Sequence, residues 1–174
     1  MKKRLSTLTA IAAGVTFLFA PVSPAHAAGA EHCWTNVETG QSRCFATFAE
    51  VVSDLSGGRV TVSGGASAFS TRTADAIAAV SSTVTIGVVY ENINYGGASN
   101  VYVVSEACDT LSDVDYQVNL ASTVWNDRIS SFESFENCDT KLWSDTYSGT
   151  GYGWYTSSLN VGAINDLTSS IQWR

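Results

Sequence analysis

Alternating apolar and polar positions dominate the chain from residue 83 onward. Every second residue of the stretch 84–90 is apolar, namely Val84, Ile86, Val88 and Tyr90. A period of two predicts that all four lie on one face of a β-strand. A second strand is predicted at 101–104, after a Gly96-Gly97 turn. Because Gly, Asn, Asp and Ser mark the turns, the pattern predicts an all-β domain of short antiparallel strands over residues 83–174.

A helical period occurs further upstream. Phe45, Phe48, Val52 and Leu55 recur at steps of three and four residues, which predicts a helix with one packed face. Gly57-Gly58 is expected to end it, because glycine accepts the left-handed conformation of a helix C-terminus. Residues 33–37 are typical of a strand, and Thr39-Gly40 is typical of a turn. We therefore predict a small N-terminal module at residues 28–58, a hairpin followed by a helix.

Two further segments have distinctive compositions. Lys2, Lys3 and Arg4 precede an apolar stretch, and Ala25-His26-Ala27 has the small-x-small pattern of a cleavage site. We interpret residues 1–27 as a secretory signal peptide, which predicts a secreted, extracellular protein. A membrane anchor is the alternative, but the apolar run is too short to span a bilayer of about 30 Å. Residues 59–82 are rich in Ser, Thr, Ala and Gly, with a short helical turn at 73–80, and are interpreted as a linker.

The charge of the chain argues against nucleic-acid binding. Nine Lys and Arg stand against sixteen Asp and Glu, for a formal net charge of −7. Cleavage after residue 27 removes three of the cations and no acid, so the net charge becomes −10. A chain this acidic repels phosphate backbones, and no basic stripe compensates. The acidity fits simple solubility as well as attraction of cations.

Four cysteines follow the predicted cleavage site: Cys33, Cys44, Cys108 and Cys138. An even number in an exported protein predicts two disulfides, with three pairings to choose from. We favour Cys33–Cys44 and Cys108–Cys138, because each pair lies within one segment of the chain. Zinc is the alternative, but no two cysteines have the spacing of two to four residues typical of structural zinc sites.

An internal repeat carries the functional prediction. Residues 125–132, Trp-Asn-Asp-Arg-Ile-Ser-Ser-Phe, match residues 164–171, Ile-Asn-Asp-Leu-Thr-Ser-Ser-Ile, and the two copies start 39 residues apart. Carboxylate, carbonyl and hydroxyl oxygens are ligands for Ca²⁺. Asn, Asp and Ser also cap turns by bonding to their own backbone. Two calcium loops and two metal-free turns therefore both fit the repeat.

Asn126-Asp127-x-x-Ser130-Ser131 and Asn165-Asp166-x-x-Ser169-Ser170 resemble the calcium motif of microbial βγ-crystallins. Residues 90–97, Tyr-Glu-Asn-Ile-Asn-Tyr-Gly-Gly, resemble the aromatic hairpin with which each Greek key of that family opens. The second hairpin, around Trp143, is one residue short, and we expect Leu142 to take the place of its first aromatic. The resemblance covers about residues 84–174. It implies a sandwich of two Greek-key motifs, preceded here by the disulfide hairpin and helix.

By this resemblance, two loops hold calcium jointly across a pseudo-twofold axis. The implied side-chain ligands are Asp127, Ser130, Asp166 and Ser169. Asn126 and Asn165 are expected to orient the loops, and Glu91 to contribute its backbone carbonyl. Arg128 is expected to point outward. One carboxylate in each copy predicts weak sites, with Kd at the weak end of the extracellular range, about 10⁻⁴–10⁻³ M.

A narrower resemblance is to the Streptomyces metalloproteinase inhibitors, which use the same crystallin-like fold and have a cysteine before and after the first motif. Cys108 and Cys138 flank the first motif here, without a tight cysteine-bounded loop. The resemblance implies a secreted metalloproteinase as partner, as an alternative to a calcium-binding module. A third interpretation is a carbohydrate- or surface-binding face built from the many aromatics.

Catalysis is not indicated by the residues. His32 is the single histidine after residue 27, and we expect it to be exposed near the N-terminus. A Ser-His-Asp triad would have to use it, and a catalytic zinc site needs more histidines. Paired carboxylates of the kind glycosidases use stay open, because sixteen acids allow many pairs and none stands out. We therefore predict a monomeric protein that is not an enzyme and has no nucleic-acid or membrane partner.

Overall fold

The computed structural model describes residues 31–109 and 112–174. The predicted signal peptide, residues 1–27, lies outside the described residues. Within these ranges the strands are β1 His32–Asn36, β2 Ser42–Phe45, β3 Val84–Asn92, β4 Gly96–Val104, β5 Tyr116–Asn119, β6 Ser131–Ser134, β7 Thr140–Asp145, β8 Ser148–Tyr155, β9 Ser157–Ser158 and β10 Ser170–Trp173. The helices are α1 Phe48–Leu55 and α2 Thr71–Ala78, with 3₁₀ turns at Ala66–Ala68 and Gly162–Ile164.

The strands form two sheets. The first has the order β2-β1-β4-β3-β6-β9, and the second has the order β5-β10-β7-β8. Strands β3–β6 and β7–β10 are two successive units in which the fourth strand returns to lie beside the first, as in a Greek key. The third strand of each unit, β5 or β9, lies in the sheet of the other unit. The predicted Greek-key sandwich is confirmed by this strand order.

The sandwich core consists of buried side chains from both sheets, among them Ile86, Val89, Tyr102, Leu120, Phe132, Leu142, Ile171 and Trp173. One prediction about β3 is wrong, because Val88 and Tyr90 face away from this core and belong to a second one. The register of β3 against β4 shifts between Thr85 and Gly87. The extra residue of this bulge reverses the alternation, so the four apolar positions divide between the two faces.

The N-terminal hairpin is part of the first sheet rather than a separate module. Strand β1 pairs antiparallel with β2 and parallel with β4, so the hairpin adds two strands to the edge of the sandwich. Phe45 ends β2, and helix α1 begins only at Phe48. Thr47 caps it, because its hydroxyl accepts from Glu50 N while the Glu50 carboxylate accepts from Thr47 N. Helix α1 is followed by Gly57 and Gly58 with φ of 60° and 78°, the predicted C-terminal signal.

The interpretation of residues 59–82 as a linker is wrong. Phe69, Ala74 and Ile77 are buried at 4 %, 0 % and 0 % exposure in a second core, on the face of the first sheet opposite to the sandwich core. Phe69 contacts the rings of Phe48 and Phe135 edge-on. The small residues that suggested a linker allow α2 to lie close against β3. The first sheet is therefore covered on both faces.

Both favoured disulfides, Cys33–Cys44 and Cys108–Cys138, are confirmed. The expectation of an exposed His32 is wrong, because the residue is only 9 % exposed and its Nδ1 lies 2.9 Å from the Ser99 hydroxyl. Burial lowers the pKa of His32. Ser99 is itself fully buried, so a substrate has no access to this Ser-His pair. In the described part of the chain, no helix has the length and apolar character needed to cross a bilayer.

Candidate metal centre

The two copies of the repeat adopt the same local conformation. Asp127 and Asp166 have φ of 55° and 53°, in the left-handed region that Asp tolerates better than most residues. Asn126 Nδ2 donates to Asp127 Oδ2 at 2.7 Å, and Asn165 Nδ2 donates to Asp166 Oδ2 at 2.7 Å. The repeated sequence therefore builds the same turn twice.

Each loop is joined to the other. Asp127 N donates to the carbonyl of Thr168 at 2.9 Å, and Asp166 N donates to the carbonyl of Ile129 at 3.2 Å. Asp127 is equivalent to Asp166 in the repeat, and Ile129 is equivalent to Thr168. The two bonds are therefore equivalent to each other, as expected for loops related by a pseudo-twofold axis. Each Asp consequently lies against the loop of the other Greek key.

Each loop is also joined to the hairpin of its own Greek key. Ser130 N donates to the carbonyl of Tyr90 at 2.9 Å, and Ser169 N donates to the carbonyl of Trp143 at 2.8 Å. Trp143 therefore holds the position equivalent to Tyr90. The expectation that Leu142 would do so is wrong, because Leu142 faces inward and is fully buried in the sandwich core.

The two hairpins differ in length by one residue. The second serine of each loop bonds to its hairpin at both ends: Ser131 Oγ donates to the carbonyl of Asn92 and accepts from Tyr95 N. In the second key, Ser170 Oγ donates to the carbonyl of Asp145 and accepts from Tyr147 N. The aromatic spacing is shorter because the second turn itself is shorter. The same anchoring serine accommodates both turns.

Three of the predicted site residues converge on one point. Ser130 Oγ lies 2.6 Å from the carbonyl oxygen of Glu91 and 3.3 Å from Asp166 Oδ1. The three oxygens come from a hairpin, from the loop of the same key and from the loop of the other key. Because Trp143 is equivalent to Tyr90, the residue equivalent to Glu91 is Ser144. Sequence reasoning missed Ser144 because it aligned Leu142 with Tyr90, although the interval from Trp143 to Tyr147 was visible.

The donor set fits a hard cation. Its atoms are a carboxylate, a hydroxyl and a backbone carbonyl, which are oxygen ligands of the kind calcium takes. The Oδ1 atoms of Asn126 and Asn165 are buried and lack a hydrogen-bond partner in residues 31–109 and 112–174. No three side chains of His, Cys, Asp or Glu cluster in those same residues. A cation bound here would depend on hydroxyl and carbonyl oxygens as much as on charge.

Arg128 lies beside this cluster, contrary to the expectation that it points outward. Its guanidinium pairs with Glu91 Oε1 at 2.9 Å and lies 5.3 Å from the Trp125 ring centroid. Burial raises the pKa of Glu91, but the hydrogen bond from Ala98 N and the Arg128 ion pair outweigh burial and hold it below its usual value. The Glu91 side chain is thus turned toward Arg128 and Ala98, while its carbonyl faces Ser130.

No protein-family model and no curated protein matches the chain. Solved structures similar to it include a βγ-crystallin domain from Clostridium beijerinckii, with 22 % identity and a TM-score of 0.39 over 51 % of this chain and 95 % of that one. A βγ-crystallin domain from Flavobacterium johnsoniae has 25 % identity and a TM-score of 0.38 over 51 % of this chain and 93 % of that one. A double mutant of clostrillin in complex with nickel has 21 % identity and a TM-score of 0.39 over 51 % of this chain and 95 % of that one. The strand order shows that the C-terminal half is a sandwich of two Greek keys, and its two repeated motifs resemble those of βγ-crystallins.

Proposed function

We propose that this protein is a secreted, non-enzymatic module that binds two calcium ions between its two Greek keys. The proposal rests on one observation: the Glu91 carbonyl oxygen and Asp166 Oδ1 both lie within 3.3 Å of Ser130 Oγ. These are three oxygens of the kind that calcium binds, and they come from both repeats.

The second site follows from the pseudo-twofold relation between the loops. The residues equivalent to Glu91, Ser130 and Asp166 are Ser144, Ser169 and Asp127. The bonds from Ser169 N to Trp143 and from Asp127 N to Thr168 support this equivalence. Asn126 and Asn165 hold the two aspartates through their amide groups, at 2.7 Å each. Their role is to position the carboxylates.

Calcium would supply a structural link rather than a reaction. Each ion would take oxygens from both loops, so binding should stabilise the contact between the two Greek keys. A ligand that binds only the folded state adds about 2.7 kcal/mol at one hundred times its Kd. With Kd about 10⁻⁴ M, 10 mM calcium should raise the melting temperature of residues 28–174 by on the order of 10 °C.

The test combines calorimetric titration with thermal melts of residues 28–174. Wild type is expected to bind two ions, and Asp127→Asn or Asp166→Asn is expected to bind one. The double variant should bind none and should melt in calcium as wild type does in EDTA. A matched control is Asp75→Asn with Asp113→Asn, two exposed acids outside the loops. Unchanged stoichiometry in the double variant, with an intact fold by circular dichroism, would overturn the proposal in favour of metal-free turns.

The inhibitor alternative stays a prediction, and a separate assay addresses it. Equimolar residues 28–174 would be added to a panel of secreted metalloproteinases with calcium in excess, so that the proteases do not lose their own metal. Inhibition would add a second role on the same scaffold. Full protease activity throughout the panel would leave the calcium-binding proposal as it stands.

A further inference from the structure

The N-terminal hairpin creates a cleft that a sandwich of two four-stranded sheets would not have. The first sheet has six strands and the second has four, so β1 and β2 extend past β4 at one edge. The pairing register aligns Cys33 with Cys44 and Asn100, and Thr35 with Ser42 and Tyr102. These six side chains share one face of three adjacent strands. They form one wall of a cleft of about 420 Å³, and residues 118–125 form the other.

The lining of this cleft is uncharged. Among residues 31–109 and 112–174, no Asp, Glu, Lys, Arg or His lines it. The Cys33–Cys44 disulfide and the side chains of Val118 and Leu120 supply apolar surface. Thr35, Ser42 and Asn100 supply polar atoms that already bond to one another. The lining itself offers a charged ligand no counter-charge, and Arg128, which packs on Trp125, is already paired with Glu91, so the chemistry favours a neutral ligand.

Two buried donors in the cleft wall lack acceptors. The Tyr102 hydroxyl and the Trp125 indole N–H have no hydrogen-bond partner in the described residues, and the two side chains are only 1 % and 3 % exposed. Asn100 lies close enough to Tyr102 to counter part of the pKa rise that burial causes, but no hydrogen bond of normal geometry joins them. A buried donor without a hydrogen-bond acceptor lowers the stability of the fold, so native proteins rarely contain one.

We propose that this cleft binds a small neutral molecule that is mostly apolar and carries a carbonyl or ether oxygen as hydrogen-bond acceptor. An apolar cavity of about 150 Å³ holds one benzene, so 420 Å³ suits a molecule of two or three rings. This volume lies within the range of about 300–1,000 Å³ typical of ligand pockets. Both donor atoms are buried in this structure, so the Tyr102 or Trp125 side chain would turn toward the cleft to donate to the acceptor oxygen. The cleft adjoins the first calcium loop at Trp125 but uses none of the oxygen atoms assigned to calcium.

The probe for the test is 6-propionyl-2-dimethylaminonaphthalene, a neutral two-ring dye with one carbonyl, whose emission shifts to the blue in apolar surroundings. Titration of the dye with residues 28–174 is expected to give saturable binding with Kd of about 100 µM or tighter. Ser122→Trp, at an exposed position of the cleft rim, should abolish it by filling the cleft. Ser63→Trp, at an exposed position elsewhere, is the matched control and should bind as wild type.

Tyr102→Phe tests the hydrogen bond separately from the cleft volume. It removes a hydroxyl that has no hydrogen-bond partner among the described residues, so the fold should survive, as thermal melts would check. Dye binding should weaken about three- to ten-fold. Binding of 2-dimethylaminonaphthalene, which lacks the carbonyl, should not change.

Two results would overturn the proposal. One is the absence of saturable binding to wild type, which would mean that ordered water alone serves the two donors. The other is equal binding by wild type and Ser122→Trp, which would place the dye elsewhere on the surface.

Discussion

The outer faces of the two sheets are built from equivalent strands but end in opposite environments. On the first sheet, Tyr90 is fully buried beneath the layer formed by residues 45–80. Its equivalent on the second sheet, Trp143, lies half-buried on a face without such a layer in the described residues. We call these the covered face and the open face. The same Greek-key backbone therefore accepts a hydrophobic or an amphipathic exterior, depending on what precedes it in the chain.

The open face protects its aromatics with cations. Lys141 Nζ lies 3.9 Å from the Trp143 ring centroid and 5.7 Å from that of Trp154, and the Arg174 guanidinium lies 4.5 Å above Trp154. A Cβ on Gly151 would lie 2.9 Å from the Trp143 ring, so glycine there lets the indole lie across strand β8. On the covered face, helices rather than cations shield the aromatic side chains from solvent.

The largest effect is expected for Phe69→Ala on the covered face. The side chain is 4 % exposed and contacts Phe48 and Phe135, so the free energy of unfolding should fall by about 3–5 kcal/mol in urea denaturation. Leu159→Ala, at a residue 54 % exposed, is the control and should change it by less than about 0.5 kcal/mol. If Phe69→Ala were as mild as its control, residues 59–82 would be a linker after all.

This segment also shows where sequence reasoning ends. Strand periodicity, the repeat and the position of the cysteines were local signals, and they predicted the strands, the loops and both disulfides, while the resemblance to βγ-crystallins implied the Greek keys. The attachment of β1 to β4 and the burial of Phe69 and Ile77 are long-range contacts, which composition alone does not encode. The bulge at Ile86 and the short second turn each depend on one inserted or missing residue. A period of two cannot reveal the bulge, whereas Ser144 was missed because Leu142 rather than Trp143 was aligned with Tyr90.

A smaller difference is expected between two Trp→Phe substitutions. On the covered face, Trp34 Nε1 donates to the Asp54 carboxylate at 2.7 Å, and hydrogen bonds to charged groups contribute about 1.5–3 kcal/mol. On the open face, Trp143 Nε1 donates to the Gln172 amide oxygen at 2.8 Å, where about 0.5–1.5 kcal/mol is expected. Urea denaturation of both variants measures the difference. Equal losses would show that the carboxylate partner adds nothing on the covered face.

Lys141→Met should have a modest effect confined to the open face. The variant keeps an unbranched apolar side chain but removes the ammonium group above Trp143, so a loss of about 0.5–1 kcal/mol is expected. Arg72→Met, at an exposed position of helix α2, is the matched control and should lie within about 0.5 kcal/mol of wild type. Lys141→Arg should restore most of the loss. A variant as stable as wild type would mean that the open face needs no cation.

The smallest effect is expected from Glu133, at the margin of the covered face. Burial raises the pKa of this carboxyl above its ordinary value of 4.5, and the hydrogen bond from the Tyr90 hydroxyl at 2.7 Å only partly opposes the rise. The folded protein therefore holds this proton more tightly than the unfolded chain. Its stabilising contribution is fully present below pH 4.5 and is lost as pH rises through the folded pKa.

Glu133→Gln removes this titration while keeping an acceptor for the Tyr90 hydroxyl. Relative to the variant, wild type should lose stability between pH 4.5 and the higher folded pKa, and the difference should then stay level up to pH 8. Urea denaturation at half-unit steps of pH measures the curve, with Glu106→Gln as the exposed control for loss of one negative charge. If wild type instead lost stability relative to Glu133→Gln as the pH falls, the covered face would stabilise the ionised carboxylate. Water would then reach Glu133 more than its burial indicates.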